Sequence, residues 1–140
     1  MLKVVCAIIY KESKILVTQI GSGSRAFEWE FPGGKIKSEE TAEDAVLREI
    51  MEELNIEIII AKPMVALMYS DGVKDFELIP FLCKIQSGEI KLIEHNAMRW
   101  VNLETLEKMK LSLADRLLVE HPDNRLSLKK YTGENVHNSC

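Results

Sequence analysis

The segment 34–56 constrains the fold most strongly, because it combines a tight turn, a long helix and a second turn. Residues 42–54 contain neither glycine nor proline, and their apolar side chains recur at i, i+3, i+4 and i+7, which predicts an amphipathic helix. The predicted apolar face comprises Leu47, Ile50, Met51 and Leu54. Ser38 or Thr41 can cap the first turn of this helix, and Asn55 supplies a left-handed stop.

β-Prone runs surround the predicted helix. Residues 2–9 and 14–19 predict a hairpin, and further strands are predicted over 29–31, 56–68, 76–85 and 98–101, with helices over 103–109 and 113–120. Pro63 and Pro80 lie inside two of these strands and indicate an edge or a bulge. The order of elements predicts an α+β sandwich around a mixed sheet, in one domain of residues 1–122. Residues 123–140 are polar and are expected to form a C-terminal tail or a loosely docked extension.

Three glutamates lie close together on the predicted helix. Glu49, Glu52 and Glu53 fall at i, i+3 and i+4, so they share one face, roughly opposite the apolar face. Like charges at this spacing destabilise a helix by about a few tenths of a kcal/mol per pair. A hard divalent cation removes the repulsion, since Mg²⁺ takes oxygen ligands from carboxylates and phosphates. A solvated acidic face is the alternative explanation for these three residues taken alone.

The spacing of residues around these acids is specific. Gly34 is followed after five residues by Glu40, and after seven more by the run Arg-Glu-Ile-Met-Glu-Glu at 48–53. This pattern resembles the Nudix box, in which Gly, five residues, Glu, seven residues, Arg-Glu, an aliphatic residue, any residue and Glu-Glu are followed by any residue, Gly and an aliphatic. Asn55 stands where the box has Gly. Asparagine tolerates the left-handed conformation, so we expect the loop–helix–loop to be kept.

The resemblance to Nudix hydrolases extends over about residues 3–120, and Trp-Glu-Phe-Pro-Gly-Gly-Lys at 29–35 looks like the strand and turn of the MutT branch. That branch hydrolyses nucleoside triphosphates to a nucleoside monophosphate and pyrophosphate, with Mg²⁺ or Mn²⁺. The resemblance implies a Nudix-type α/β/α sandwich around a mixed β-sheet. It also implies a metal site formed by the Gly33 carbonyl, Glu49, Glu52 and Glu53. Arg48 would orient these catalytic carboxylates, and Glu40 would pair within the loop.

One more acid is expected outside the box. Glu94-His95, before Trp100, resembles the MutT-branch loop that brings a glutamate to the metal and the attacking water. Glu94 is therefore the candidate for an added metal ligand or a general base, with a plain loop carboxylate as the alternative. His95 is the alternative base, or else a solvated loop residue.

The sequence indicates the nucleotide-binding residues less specifically than the metal ligands. Asp115 lies where the MutT branch places a base-reading Asn or Asp. The alternative is a structural one, because the helix macrodipole by itself favours an acid in the first turn. An ionised carboxylate accepts hydrogen bonds from the amino group of cytosine or guanine. Phe31 is expected to pack against the base or in the core. Arg25 or Lys35 is expected to supply phosphate-binding charge, because Ile20 stands where the family often has Arg.

The order of motifs is similar to that of CTP pyrophosphohydrolases, which favours CTP, dCTP or modified cytosine nucleotides as substrates. An 8-oxo-dGTP diphosphatase, an enzyme acting on a sugar nucleotide or dinucleotide, and a catalytically inactive nucleotide-binding module are the alternatives. A carboxylate such as Asp115 would suit oxidised guanine if it were protonated.

Composition excludes other classes of partner. The net charge is −4, which is unlike a nucleic-acid coat, so no nucleic-acid polymer is expected as a partner. No apolar run approaches the ~20 residues that cross a bilayer, so no membrane partner is expected. Three scattered cysteines, Cys6, Cys83 and Cys140, fit free thiols in a reducing compartment, and we expect a cytoplasmic protein. A homodimer formed through apolar residues of 56–68 stays open.

Overall fold

The computed structural model describes residues 1–133, which form an eight-stranded mixed sheet with helices on both faces. The strands are β1 (Leu2–Lys11), β2 (Lys14–Gln19), β3 (Trp29–Glu30), β4 (Gly33–Lys35), β5 (Glu57–Pro63), β6 (Leu67–Ser70), β7 (Asp75–Ser87) and β8 (Ala97–Val101). The helices are α1 (Ala42–Leu54), α2 (Leu103–Lys108), α3 (Leu113–Glu120) and α4 (Pro122–Thr132). The predicted α+β class is confirmed.

The sheet is built around β1 and β7. The longest path of paired strands runs β3-β2-β1-β7-β5, while β4 pairs with β1, β6 with β7 and β8 with β2. The β1–β7 pairing is parallel, and every other pairing is antiparallel. The predicted hairpin joins β1 to β2 through Glu12 and Ser13, both at positive φ, which suits the tight turn of a twisted hairpin.

Alternate residues of β1 enter two separate hydrophobic cores, because successive side chains of a strand point to opposite faces. Val5, Ala7 and Ile9 pack with the buried side of α1. Cys6 and Ile8 pack with apolar residues of α2, α3 and α4 on the other face. The molecule is therefore the sandwich that the sequence predicted. No helix within residues 1–133 is long and apolar enough to span a membrane.

Helix α1 begins and ends where its sequence predicts. The Thr41 side chain accepts a hydrogen bond from the Asp44 N–H at the N-terminus, and Asn55 adopts the left-handed conformation (φ 60°, ψ 35°) at the C-terminus. The predicted apolar face is partly wrong. Leu47 and Met51 are 39% and 40% exposed. The buried positions are Ala45, Val46, Ile50, Glu53 and Leu54, so the inward face is rotated toward the acids.

The predicted polar tail, residues 123–140, begins with a helix rather than an extended tail. Residues 122–132 form α4, with Pro122 in its first turn and the His121 side chain accepting from the Asp123 N–H as a cap. Leu128 is fully buried against the α2–α3 face of the sheet. The helix is mostly polar, and it docks through Leu128, through Tyr131 against Tyr10 and through small buried polar side chains, which a composition argument misses. The remaining residues of the predicted tail, 134–140, lie outside the described part of the chain.

Pro80 lies in an interior strand, so the expectation of an edge is wrong there. β1 pairs with one side of β7, whereas β5 and β6 share the other side. Pairing with β5 reaches Phe81 and pairing with β6 begins at Leu78, so Pro80 falls at the junction between them. Its carbonyl accepts from the Met64 N–H (3.0 Å). Because N and O of a strand residue point the same way, the missing N–H faces this junction and interrupts no ladder.

The exposed edge formed by β5 and β6 carries apolar side chains. Ile59, Val65 and Met68 are exposed there, among the residues 56–68 that the sequence offered for a homodimer. A dimer through this edge stays a prediction.

Candidate active site

The Pro-Gly-Gly turn brings the backbone of β4 against both the sheet and α1. A Cβ atom on Gly33 would lie 2.7 Å from the Cys6 Cα and closer still to the Val5 carbonyl oxygen. A Cβ atom on Gly34 would lie 2.6 Å from Glu49 Oε1, within the space that the carboxylate occupies. Both positions therefore require glycine for close approach, one toward the β1 backbone and one toward an acid of α1.

Arg48 organises the acids on the outer side of α1. Its Nε and Nη2 donate to the two carboxylate oxygens of Glu40 (2.6 and 2.9 Å), and its Nη1 donates to Glu49 (2.9 Å) and Glu52 (3.1 Å). Nη2 also donates to the Lys35 carbonyl (3.1 Å). Hydrogen bonds from Arg48 and the Lys37 N–H lower the pKa of Glu40 to about 2, and the bond to Glu40 raises the pKa of Arg48. The guanidinium thus joins the loop before α1 to two of the three predicted ligands.

Glu53 occupies a different environment from Glu49 and Glu52. It is only 3% exposed, whereas the side chain of Glu52 is 49% exposed. Burial, followed by the charges of Glu49 and Glu94, raises the pKa of Glu53 to about 9. Its Oε2 is buried and has no hydrogen-bond partner. The prediction that all three acids share a face opposite the core is therefore wrong for Glu53, which lies at the margin of the inward face.

His95 and Glu30 complete the inner side of this acidic cluster. His95 Nε2 lies 3.0 Å from Glu30 Oε2 and 3.7 Å from Glu53 Oε1, and the imidazole is 6% exposed. The interpretation of His95 as a solvated loop residue is therefore wrong. Glu94, the neighbouring candidate ligand or base, is exposed on the loop that donates the Ile93 N–H to the Glu53 carbonyl (3.1 Å). Its charge helps to raise the pKa of Glu53, so Glu94 lies within electrostatic range of that carboxyl group.

The acids fit a divalent cation only in part as they stand. Across residues 1–133, no three acidic, histidine or cysteine side chains converge closely enough to hold a metal ion. Arg48 draws Glu49 and Glu52 toward itself, while Glu53 keeps a buried oxygen without a partner. Mg²⁺ takes one or two carboxylates together with water and substrate phosphates, so it does not need a complete protein cage. The partnerless oxygen of Glu53, beside Glu49, suits such a cation.

A cleft of 490 Å³ opens next to these acids. Gly33 lies in its wall, directly before the residue that touches Glu49. Tyr69 and Phe76 form an aromatic side of the cleft, with ring centroids 6.1 Å apart. Arg25 lines the cleft, with its Nη1 4.0 Å from Glu30 Oε1, and its role toward phosphates stays a prediction. The cleft is thus a concave, half-apolar space with charged groups at one end, as small-molecule sites are.

Asp115 and Phe31 lie together in the cleft. Asp115 Oδ2 accepts a hydrogen bond from the Phe31 N–H (2.9 Å), which links residues 84 positions apart. Burial raises the pKa of Asp115 to about 7, and the Phe31 N–H partly opposes the shift. Phe31 itself is buried in the core and also lines the cleft, where its N–H is bonded to Asp115. Lys35 is exposed on β4 and lies outside the described wall of the cleft, so it is not brought together with Arg25.

Sequence reasoning missed Glu28 and Glu30 as site residues. Glu30 lies between Trp29 and Phe31 in the predicted strand 29–31, so period-two alternation places its side chain on the opposite face of that strand from theirs. Glu28 lines the cleft and has a buried Oε1 without a partner, yet nothing in the sequence distinguishes it from other loop acids.

The chain is similar to proteins of known family. A family model described as the NUDIX domain matches residues 2–121. A CTP pyrophosphohydrolase of Escherichia coli (strain K12) is 32% identical over 121 residues, which cover 86% of this chain and 90% of that protein. An 8-oxo-dGTP diphosphatase of Buchnera aphidicola is 30% identical over 105 residues, covering 74% and 79%.

The fold is similar to solved structures as well. The crystal structure of a MutT NUDIX hydrolase from Burkholderia pseudomallei superposes with a TM-score of 0.78 at 29% sequence identity, covering 86% of this chain and 97% of that one. The family model spans most of the chain, and the relatives cover it over most of their own length. The chain therefore belongs to the NUDIX hydrolases, among their MutT-like members.

Proposed function

We propose that this protein is a Mg²⁺-dependent nucleoside triphosphate pyrophosphohydrolase that converts CTP, dCTP or a modified cytosine nucleotide to the monophosphate and pyrophosphate, with Mn²⁺ as a second usable ion. The observation that carries the proposal is that the cleft adjoins the acidic cluster of α1. Gly33 lines the cleft, and the next residue, Gly34, lies against the Glu49 carboxylate. A nucleoside in the cleft would therefore extend its phosphates toward the acids of α1.

Glu49, Glu52, Glu53 and the Gly33 carbonyl are the groups that we assign to the cation. When bound, the cation offsets the charge of the phosphates and lowers the pKa of water. Arg48 holds Glu49 and Glu52 from the outer side, so these carboxylates are oriented before the substrate arrives. Water attacks phosphorus, the anhydride P–O bond breaks toward pyrophosphate, and the proton passes to a carboxylate. We assign that carboxylate to Glu94, which is exposed beside Glu53.

The preference for cytosine rests on Asp115 and on one relative. An ionised Asp115 would accept a hydrogen bond from the cytosine amino group. The Escherichia coli relative named for CTP hydrolysis supports this choice. Arg25, at the charged end of the cleft, is the residue that we assign to the phosphates or sugar.

Oxidised guanine is the second candidate base. Burial raises the pKa of Asp115 to about 7, so near neutral pH a fraction of the side chain is a protonated donor as well as an acceptor. The Buchnera relative named for 8-oxo-dGTP hydrolysis supports this alternative.

A nucleotide panel tests the proposal. The protein is assayed with Mg²⁺ against the ordinary NTPs and dNTPs, 5-methyl-dCTP, 8-oxo-dGTP and ADP-ribose, and pyrophosphate is measured separately from orthophosphate. Pyrophosphate chiefly from the cytosine set supports the proposal, and pyrophosphate chiefly from 8-oxo-dGTP supports the second candidate. Turnover of ADP-ribose alone would refute the substrate class. Full turnover by Glu53→Gln would refute the cation assignment, because an amide is a poorer Mg²⁺ ligand than a carboxylate.

The cytoplasm is the compartment that we propose for this activity. Cys6 and Cys83 are free and buried in the sheet. Burial raises the pKa of both thiols, that of Cys83 to about 12, so neither is a reactive thiolate. Unpaired buried thiols of this kind fit a reducing compartment.

A further inference from the structure

His95 is held rigidly between two elements of the site. On one side of it, the Ile93 N–H donates to the Glu53 carbonyl at the end of α1 (3.1 Å). On the other side, the Asn96 N–H donates to the Gln19 carbonyl of β2 (2.9 Å), and the Asn96 amide donates to the Gln19 side chain (2.9 Å). The imidazole between these anchors is nearly buried. Its position is therefore fixed by backbone bonds on both flanks.

The contacts of the imidazole join two carboxylates. A carboxylate only accepts hydrogen bonds, so the hydrogen on Nε2 is donated to Glu30 Oε2 at 3.0 Å. The same nitrogen lies 3.7 Å from Glu53 Oε1, within electrostatic range but beyond an ordinary hydrogen bond. Nδ1 is buried and has no partner, so the ring is oriented by its Nε2 side alone.

Glu53 depends on this ring more than its neighbours do. Arg48 contacts Glu40, Glu49 and Glu52, but within the described chain His95 is the only basic side chain that lies within 4 Å of Glu53. A nearly buried carboxylate with a partnerless oxygen can rotate unless something fixes it.

We infer that His95 is a positioning residue that, anchored on Glu30, holds the Glu53 carboxylate in the orientation in which its free oxygen receives a divalent cation. The inference rests on the proposed function, because it takes Glu53 as a cation ligand. It assigns no proton transfer to His95. Groups behind metal ligands that fix their orientation change metal affinity or activity by about 10–100-fold when they are removed.

Two isosteric variants separate positioning from packing. In His95→Gln the side-chain amide nitrogen lies near the original Nε2, whereas in His95→Asn it lies near the original Nδ1 and falls short of Glu30. Both fill part of the same space with a neutral polar group. His121→Ala is the matched control, since His121 caps α4 on the opposite face of the sheet and takes no part in the site.

The measurement is titration of the full chain with Mn²⁺, without nucleotide, followed by the electron paramagnetic resonance signal of the free ion. We expect His95→Asn and His95→Ala to weaken Mn²⁺ binding by about 10–100-fold. His95→Gln should recover most of that loss, and His121→Ala should bind like the wild type. In nucleotide hydrolysis His95→Asn and His95→Ala should lower kcat and leave KM nearly unchanged, and His121→Ala should hydrolyse nucleotide like the wild type. If His95→Ala does not fold, the comparison of Gln with Asn carries the test.

The outcomes distinguish this inference from the proposed function. If Glu53→Gln loses Mn²⁺ but His95→Asn binds it like the wild type, the positioning role is wrong and the cation site stands. Equal weakening by Gln and Asn at position 95 would also overturn the positioning role. Wild-type Mn²⁺ binding by Glu53→Gln overturns both assignments. Mn²⁺ binding that follows our expectation, in a protein that hydrolyses no nucleotide, upholds the role of His95 and refutes the proposed activity.

Discussion

Replacing Gly34 with alanine places a methyl group where the Glu49 carboxylate lies. The added Cβ would be 2.6 Å from Glu49 Oε1, whereas ordinary Cβ contacts begin at 3.4 Å. The carboxylate must therefore move by about 1 Å, a displacement that can lower turnover by about 100-fold at a catalytic site. The moving group is the end of a flexible side chain, so the change in its rotamer costs only about 1 kcal/mol. The hydrogen bond from Arg48 is strained by the same movement.

Gly33→Ala is the control for this prediction. Its Cβ would meet the backbone of Val5 and Cys6, which cannot rotate away, so we expect a loss of about 3 kcal/mol or more in the free energy of unfolding. Urea denaturation followed by circular dichroism measures stability, and pyrophosphate release measures turnover. Gly34→Ala should lose turnover and keep stability, while Gly33→Ala should lose stability. Full turnover in Gly34→Ala, or equal destabilisation of both variants, would refute the reasoning.

Three more predictions follow from the site and the core. The pKa of Asp115 rises from 3.8 to about 7 on folding, so its contribution to stability is present below pH ~4 and lost as pH rises through 7, by up to about 4 kcal/mol. Asp115→Asn should remove that difference in urea denaturation at pH 4 and pH 8, and an unchanged pH dependence would contradict it. Arg48→Lys cannot reproduce the forked contacts to Glu40, so kcat should fall by about 10–100-fold; unaltered kcat would show that orientation is unimportant. Leu128→Ala should cost about 2–5 kcal/mol in the same denaturation, because the side chain is fully buried; a negligible cost would mean that α4 docks weakly.

The sequence predicted helices correctly where their limits depend on neighbouring residues alone. The bounds of α1 depend on a cap at Thr41 and a left-handed residue at Asn55, and both are read from residue type. Helix α3 was predicted over 113–120 and forms there. These features depend on only a few neighbouring residues, so periodicity and capping residues suffice to predict them.

The parts that could not be predicted depend on contacts across the fold. Glu53 is buried where the loop carrying His95 packs beside the end of α1, and no pattern along α1 records that neighbour. Helix α4 docks through Leu128 and polar groups such as Asn124, which bonds the backbone of Val65. Its composition predicted a polar tail because the exposed polar residues of this segment outnumber the few residues that are buried.

The parallel pairing of β1 with β7 also governs how the chain folds. Leu2 lies opposite Phe76 and Ile9 opposite Cys83, so each pair is separated by 74 residues. During synthesis, β1 has its hairpin partner early, but its pairing with β7 is not complete until residue 83 is available, and the core under α2, α3 and α4 closes later still. Contacts of such long sequence separation slow folding, since the loop entropy is lost before the contacts form. Apolar β1 is therefore open to aggregation in the nascent chain, and lower synthesis temperature or chaperones should raise the yield of folded protein.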